Sequence, residues 1–268
     1  MLGLGNSIAS GNVVVEGYSD PASFSGLVLW LGFNQGITAA NGNTTAAGDM
    51  VNNDQITQWD DLSGNTNHAV QSTSTDMPRW DTANSGADIG APKFANNAKY
   101  MDLTTPIEIT GDFTIMIRFR VNDISTSRCF LGNAADDLFK LHDADDFRAI
   151  IGGSGTSSWE DTSATDLTVA DPDYRHIVTF TRSSGAMKVY VNGGTASGDW
   201  KDEQDDVDWD SAESHSDTDT FTISNIGSEA DDTTNFNGWF YDILIYDGTT
   251  LTTAERKLNY DYLTAQVV

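Results

Sequence analysis

Hydrophobic and polar positions alternate most clearly between Phe113 and Val121. Phe113, Ile115, Ile117, Phe119 and Val121 interleave with Thr114, Met116, Arg118 and Arg120. A period of two with one apolar face predicts a half-buried strand. The run Leu27-Val28-Leu29-Trp30-Leu31 is apolar on both faces, as in a strand covered on both sides. Further strands are predicted at 56–60, 93–94, 100–103, 129–132, 138–142, 147–151, 221–226 and 239–246. Segments 175–182 and 187–192 read as a hairpin across Ser183-Ser184-Gly185. Residues 36–54 and 198–219 read as loops, the second acidic and Trp-containing. One helix closes the chain. Thr252 is its predicted N-cap, Glu255 completes a capping box, and Leu258 and Tyr262 share one face. Short strands at regular spacing, without repeat or linker, predict one all-β domain of the sandwich or barrel type. Residues 1–23 are small, polar and Gly/Ser-rich and are expected to form an extended N-terminal arm, with the folded domain at 24–268.

Composition agrees with this pattern. The chain has 268 residues, 38% hydrophobic and 10% aromatic, enough for a sizeable core. Its formal net charge is −26. Such a chain repels nucleic acid and anionic membranes, and neither is expected as a direct partner. The 40 acidic residues divide into 33 Asp and 7 Glu. Asp favours turns and caps where Glu favours helices, so the excess belongs in loops between strands. A single cysteine, Cys129, sits between apolar neighbours and reads as a buried structural thiol; no internal disulfide can form. No run of 18 apolar residues predicts a membrane span, and the first residues lack the basic and apolar regions of a signal peptide.

Three segments carry a family resemblance. They are Trp59-Asp60-Asp61-Leu62-Ser63-Gly64-Asn65-Thr66-Asn67-His68-Ala69; the hairpin Arg175–Thr181 with Met187-Lys188-Val189-Tyr190-Val191-Asn192-Gly193; and Phe236-Asn237-Gly238-Trp239-Phe240-Tyr241-Asp242-Ile243-Leu244-Ile245-Tyr246 followed by Leu251–Glu255. In this order they resemble the laminin-G-like, concanavalin A-like family over roughly residues 24–268. The resemblance implies a two-sheet antiparallel jelly-roll sandwich with one short C-terminal helix. Plain structural roles suffice for the motif residues. Asn192-Gly193 supplies positive φ at a tight turn, Gly238 allows a close approach, and His68 anchors a turn by hydrogen bonding. The start, Met1-Leu2-Gly3-Leu4-Gly5-Asn6-Ser7-Ile8, resembles structural proteins of tailed phages from marine settings.

Retaining glycosidases need two carboxylates about 5 Å apart, and laminarinase-type jelly rolls set them on one strand. None of the seven Glu residues stands in such a run, and Asp242, where relatives often have Glu, is isolated in sequence. No Gly-x-Ser-x-Gly frame supports a serine triad. No catalytic residue is therefore assigned, and a non-enzymatic protein is expected. Asp206, Asp208, Asp210 and Asp217 have calcium-loop spacing, but Ser211 stands where the sharp turn needs Gly and no helices flank the loop. They are the metal candidates, with a solvated acidic loop as the alternative; no cofactor is required. Trp159, Trp200 and Trp209 occupy polar contexts and are the candidates for stacking on sugar rings, whereas Trp30, Trp59 and Trp239 are expected in the core.

Two functions follow as expectations. One is a phage virion structural protein, a capsid decoration, head-fibre or tail-fibre subunit on the virion surface, made in the host cytoplasm. Its arm would dock on a capsid or tail protein, and it would be a homo-oligomer such as a trimer. The other is a carbohydrate-binding module or adhesin, with calcium as an optional ligand and a host surface glycan as partner. A polysaccharide hydrolase or lyase ranks below both.

Overall fold

The computed structural model describes residues 19–82, 90–95, 99–122, 128–133, 137–142, 146–151, 155–161, 176–192, 209–210, 218–228 and 235–266, with the backbone alone at 146, 155–161, 192 and 209–210. The strands are, in chain order, β1 (Leu27–Leu31), β2 (Ile37–Ala39), β3 (Ile56–Trp59), β4 (Ala69–Val70), β5 (Arg79–Asp81), β6 (Ala91–Phe94), β7 (Met101–Ile109), β8 (Phe113–Val121) and β9 (Arg128–Gly132). They continue as β10 (Leu138–His142), β11 (Asp146–Ile151), β12 (Gly155–Asp161), β13 (His176–Ser183), β14 (Ala186–Asn192), β15 (Trp209–Asp210), β16 (Phe221–Ile226) and β17 (Gly238–Asp247), before helix α1 (Thr253–Ala265). The first sheet runs β14-β13-β8-β17-β6-β5, with β1 also paired to β17; the second runs β15-β12-β11-β10-β9-β16-β7-β4-β3-β2. The pairings are antiparallel, and the expected two-sheet jelly-roll sandwich with one C-terminal helix is what forms.

The alternation of β8 sets the architecture. Phe113, Ile115, Ile117, Phe119 and Val121 enter the core between the sheets. Ten of the chain's twelve Phe residues join that core, with edge-to-face contacts such as Phe94 on Phe240 at 5.0 Å and Phe113 on Phe221 at 5.2 Å. Trp59 is fully buried there, and Trp30 and Trp239 are buried on the opposite face of the first sheet. Cys129 is buried, its thiol 3.4 Å from the Leu131 carbonyl.

The Trp59–Ala69 segment turns out to seal an edge. β1 pairs with β17 along one side, and on the other it makes a single bridge, Leu31 to Asp61, with the Leu62 amide donating to the Trp30 carbonyl at 2.8 Å. On that side the Asp61 carboxylate accepts from the Trp30 amide at 3.0 Å, and the side-chain amides of Asn65 and Asn67 donate to the Leu27 and Val28 carbonyls. Asp61 also accepts from the Ser63 and Asn67 amides, and His68 Nδ1 accepts from the Asp61 amide at 3.1 Å. An exposed strand edge is thereby satisfied by side chains. His68 is the hydrogen-bond anchor its position suggested. Asp residues cap other turns as well: Asp20 at Ala22, Asp49 at Thr44 and Asp112 at Ser184.

Boundaries differ from the sequence reading where strands are short. β2, β4 and β5 are two or three residues long and give no periodic signal, and β7 extends to Ile109. The hairpin turn lies at Ser184 and Gly185, both at positive φ, as a two-residue turn between twisted strands requires. Gly193 lies outside the described residues. A Cβ on Gly238 would run into the Arg120 carbonyl, so glycine is required there. The capping box at Thr252 and Glu255 forms. The apolar face expected of Leu258 and Tyr262 does not: Tyr262 is buried, but Leu258 is 37% exposed. The helix instead buries Tyr260 and Leu263 together with Arg256 and Asn259, two polar residues that a hydrophobic period does not count. Of the expected arm, residues 1–18 lie outside the described residues; Pro21–Ser23 forms a 3-10 turn whose Pro21 carbonyl accepts from the Tyr246 hydroxyl.

Candidate functional site

The outward face of the first sheet divides into two ends. At one end Arg118 on β8 stands opposite Asp242 on β17, with Arg118 Nη1 3.3 Å from Asp242 Oδ2. Asp242 Oδ1 accepts from the Phe33 amide at 2.8 Å, and Arg118 donates to the Leu263 carbonyl on helix α1. The guanidinium lies over the rings of Phe33 and Tyr241. Both charged groups are fully buried. Burial pushes the Asp242 carboxyl above the ordinary carboxylate range, while Arg118 and the Phe33 amide draw it back. This carboxylate is locked into an ion pair beneath the helix rather than turned toward a cleft.

At the other end the same strands carry a row of cations. Arg120 on β8 is the register partner of Trp239 on β17, Trp239 of Lys93 on β6, and Lys93 of Arg79 on β5. Arg120 and Lys93 lie over the Trp239 ring at 4.6 and 4.8 Å. The indole Nε1–H donates to Asp81 Oδ2 at 3.3 Å, and Lys93 Nζ donates to the same oxygen at 3.0 Å. Beside this row opens a pocket of about 160 Å³, lined by Asn52, Asn53, Arg79, Asp81, Lys93 and Lys99. Arg79 Nη1 donates to the Asn53 carbonyl at 3.1 Å, Asn52 Oδ1 accepts from the Thr82 amide, and Lys99 donates to the Thr75 carbonyl. Burial, and after it the nearby Arg79 charge, push the Lys99 ammonium below its ordinary range, with Asp76 opposing. Hydrogen-bond donors, amides and one carboxylate converge here on a space open to solvent, the composition of a polar ligand site.

A second depression of about 410 Å³ lies against β13, β14 and the start of α1. Its hydroxyls come from Thr181, Ser183, Thr250, Thr252 and Thr253, and its Tyr190 ring is buried beneath Arg256. Arg256 is occupied with the Leu251 carbonyl and the Thr253 hydroxyl. That arrangement holds the helix to the sheet.

Of the residues singled out from sequence, Trp159, Trp209 and Asp210 are described, by their backbone alone. Trp159 lies on β12 opposite Phe147, and Trp209 and Asp210 lie on β15 opposite Asp161 and Glu160, at the edge of the second sheet. Trp200, Asp206, Asp208 and Asp217 lie outside the described residues, and with them most of the calcium candidate. Among the described residues no three His, Cys, Asp or Glu side chains gather as a metal-binding group. The pocket residues were missed because Asn52, Arg79, Lys93 and Lys99 come from separate segments with no motif spacing. A signal existed nonetheless: three of the chain's 14 Lys and Arg residues fall between 79 and 99.

An antiparallel jelly roll with helix-covered and open ends is the class this geometry defines. Residues 95–255 match the family model described as the concanavalin A-like lectin/glucanases superfamily, and the chain belongs to that superfamily. No curated protein matches. Among solved structures the chain is similar to an arabinofuranosidase complexed with arabinofuranosyl-α-1,2-xylobiose, at 13% identity and TM-score 0.53, covering 91% of this chain and 60% of that one. It is also similar to domain 4 of AbnA, a GH43 extracellular arabinanase from Geobacillus stearothermophilus in complex with arabinotriose (13% identity, TM-score 0.51, 87% of this chain and 97% of that one). A third is a GH54 α-L-arabinofuranosidase, at 14% identity and TM-score 0.50, covering 92% of this chain and 61% of that one. The chain thus spans about 60% of the two arabinofuranosidase chains. At such identities the likeness is one of fold.

Proposed function

We propose that the chain is a non-enzymatic, lectin-like domain that binds a carbohydrate at the pocket between β5, β6 and the Asn52-Asn53 turn. The row Arg120-Trp239-Lys93-Arg79 carries the reading, because it brings charged donors to an open concavity beside side-chain amides and the Asp81 acceptor. Sugar hydroxyls need that mixture of donors and acceptors. The pocket requires no metal, since its lining is cationic; calcium would belong to Asp206–Asp217. The likeness to an arabinanase domain solved with arabinotriose supports the sandwich as a scaffold for such a site.

We propose further, from the phage-like start, that this domain stands on a virion surface, with residues 1–23 attaching it to a capsid or tail protein and the copies arranged as a homo-oligomer. Glycan-array binding of the full chain tests the site, with Lys93→Met as the control for it. Glycan binding that Lys93→Met abolishes is the expected result; turnover of a polysaccharide, or no glycan bound at all, would overturn the reading. Mass spectrometry of purified particles tests the attachment.

A further inference from the structure

We infer that the ligand of this pocket is an anionic polysaccharide, whose sulfate or carboxylate group sits between Arg79, Lys93 and Lys99. The inference rests on the carbohydrate reading above and names its charge.

The argument begins from scarcity. The chain holds 14 Lys and Arg against 40 Asp and Glu. Cations placed for solubility alone would be spread among the acids. Here three of them line one small pocket, and a fourth, Arg120, extends the row across the sheet. Lys93 and Arg79 are direct register partners on one face, an arrangement of like charges that destabilises a sheet. Arg79 and Lys99 are close enough for the first to depress the protonation of the second. Asp81 accepts from both Lys93 and the Trp239 indole, and at Lys99 the Asp76 charge ranks below that of Arg79.

The geometry also distinguishes charge recognition from ring stacking. Trp239 is 1% exposed and carries a cation on its ring from each side. It offers no face to a sugar; it spaces and orients the cations. Arg79 is exposed and gives one guanidinium N–H to Asn53. Its planar fork has five donors, so a bidentate contact to a sulfate or carboxylate remains available to it. A volume of about 160 Å³ suits one charged sugar substituent and its neighbouring hydroxyls. The surrounding field of a −26 chain opposes any polyanion at a distance. The contact is therefore local, and screening by salt acts on attraction inside the pocket and repulsion outside it in opposite senses.

The test is affinity electrophoresis and titration calorimetry of the full chain with dextran, dextran sulfate, polygalacturonate and polyglutamate. Wild type is expected to bind dextran sulfate or polygalacturonate, and which of the two it binds identifies sulfate or carboxylate as the anchor. The double variant R79Q/K99Q is expected to bind at least about tenfold more weakly, with its melting temperature no lower than that of wild type. Lys257→Gln, which removes a cation on the exposed face of α1, is expected to leave binding as it was. Binding confined to neutral glycans would overturn the inference while the carbohydrate reading stands. Binding to none of the glycans would end both. Charged-glycan binding that survives R79Q/K99Q, or equal binding to polyglutamate, would likewise overturn it.

Discussion

Arg118 and Arg120 are two residues apart on one strand, point out of the same sheet face and face β17 in the same way, yet they lie in opposite environments. Arg118 meets Asp242 under a roof of Phe33, Tyr241 and the last turn of α1. Arg120 meets Trp239 and begins a row of cations that ends at an open pocket. The first arrangement is a one-to-one pair and enclosed; the second sets cations side by side along neighbouring strands and is half in solvent. What separates them is cover. A buried charge without its partner is expensive, so the enclosed end must be stoichiometric. The open end is relieved by water and tolerates like charges as neighbours.

Stability measurements can break this contrast. The largest effect is expected from Arg118→Met, which strands a buried carboxylate: a loss of about 3–5 kcal/mol in urea unfolding. Adding Asp242→Leu to it should restore much of that loss, and a single variant within about 1 kcal/mol of wild type would mean that the pair is not enclosed as described. Tyr246→Phe comes next, at about 1–3 kcal/mol. Its hydroxyl accepts from Asn259 at 2.9 Å and donates to the Pro21 carbonyl, so removal breaks two buried hydrogen bonds and leaves Asn259 Nδ2 only its weak contact with the Met116 sulfur. At the open end Lys93→Met should cost under about 1 kcal/mol, although its 3.0 Å ion pair with Asp81 is shorter than the buried one. A larger loss would show that Lys93 belongs to the core. The smallest effect belongs to Arg79→Gln, within about 0.5 kcal/mol by thermal melting; an increase would be informative too, since it would measure the strain of facing Lys93.

How far the sequence carried the structure follows the same division. β8 was legible because one face enters a continuous apolar core and a period of two survives in its residue types, and β17 because its run of apolar residues resembles the family's last strand. Trp30, Trp59 and Trp239 were placed in the core because they sit in such strands. The helix start was legible because Thr252 and Glu255 are a local device. Its buried face was not, because Arg256 and Asn259 are buried through polar contacts with Leu251, Thr253 and Tyr246. Strands β2, β4 and β5 are too short to show a period. The pocket was hidden for a further reason: Asn53, Arg79 and Lys93 are neighbours only through strand pairing, and the search for sugar binding favoured exposed Trp over clustered cations. The stretch that matches the family, 95–255, omits Asn52, Asn53, Arg79, Asp81 and Lys93.

The place of β17 has a consequence in time. It lies between β8 on one side and β1 and β6 on the other, so it closes the first sheet at its centre. During synthesis β1 emerges early and waits for a partner more than two hundred residues away, with Trp30 and Leu31 uncovered. Pairings so distant in sequence form slowly, and the interval exposes apolar strands to neighbouring chains. The Asp61-centred turn, which can clasp β1 from residues only some thirty positions on, is available throughout that interval to shield its other edge.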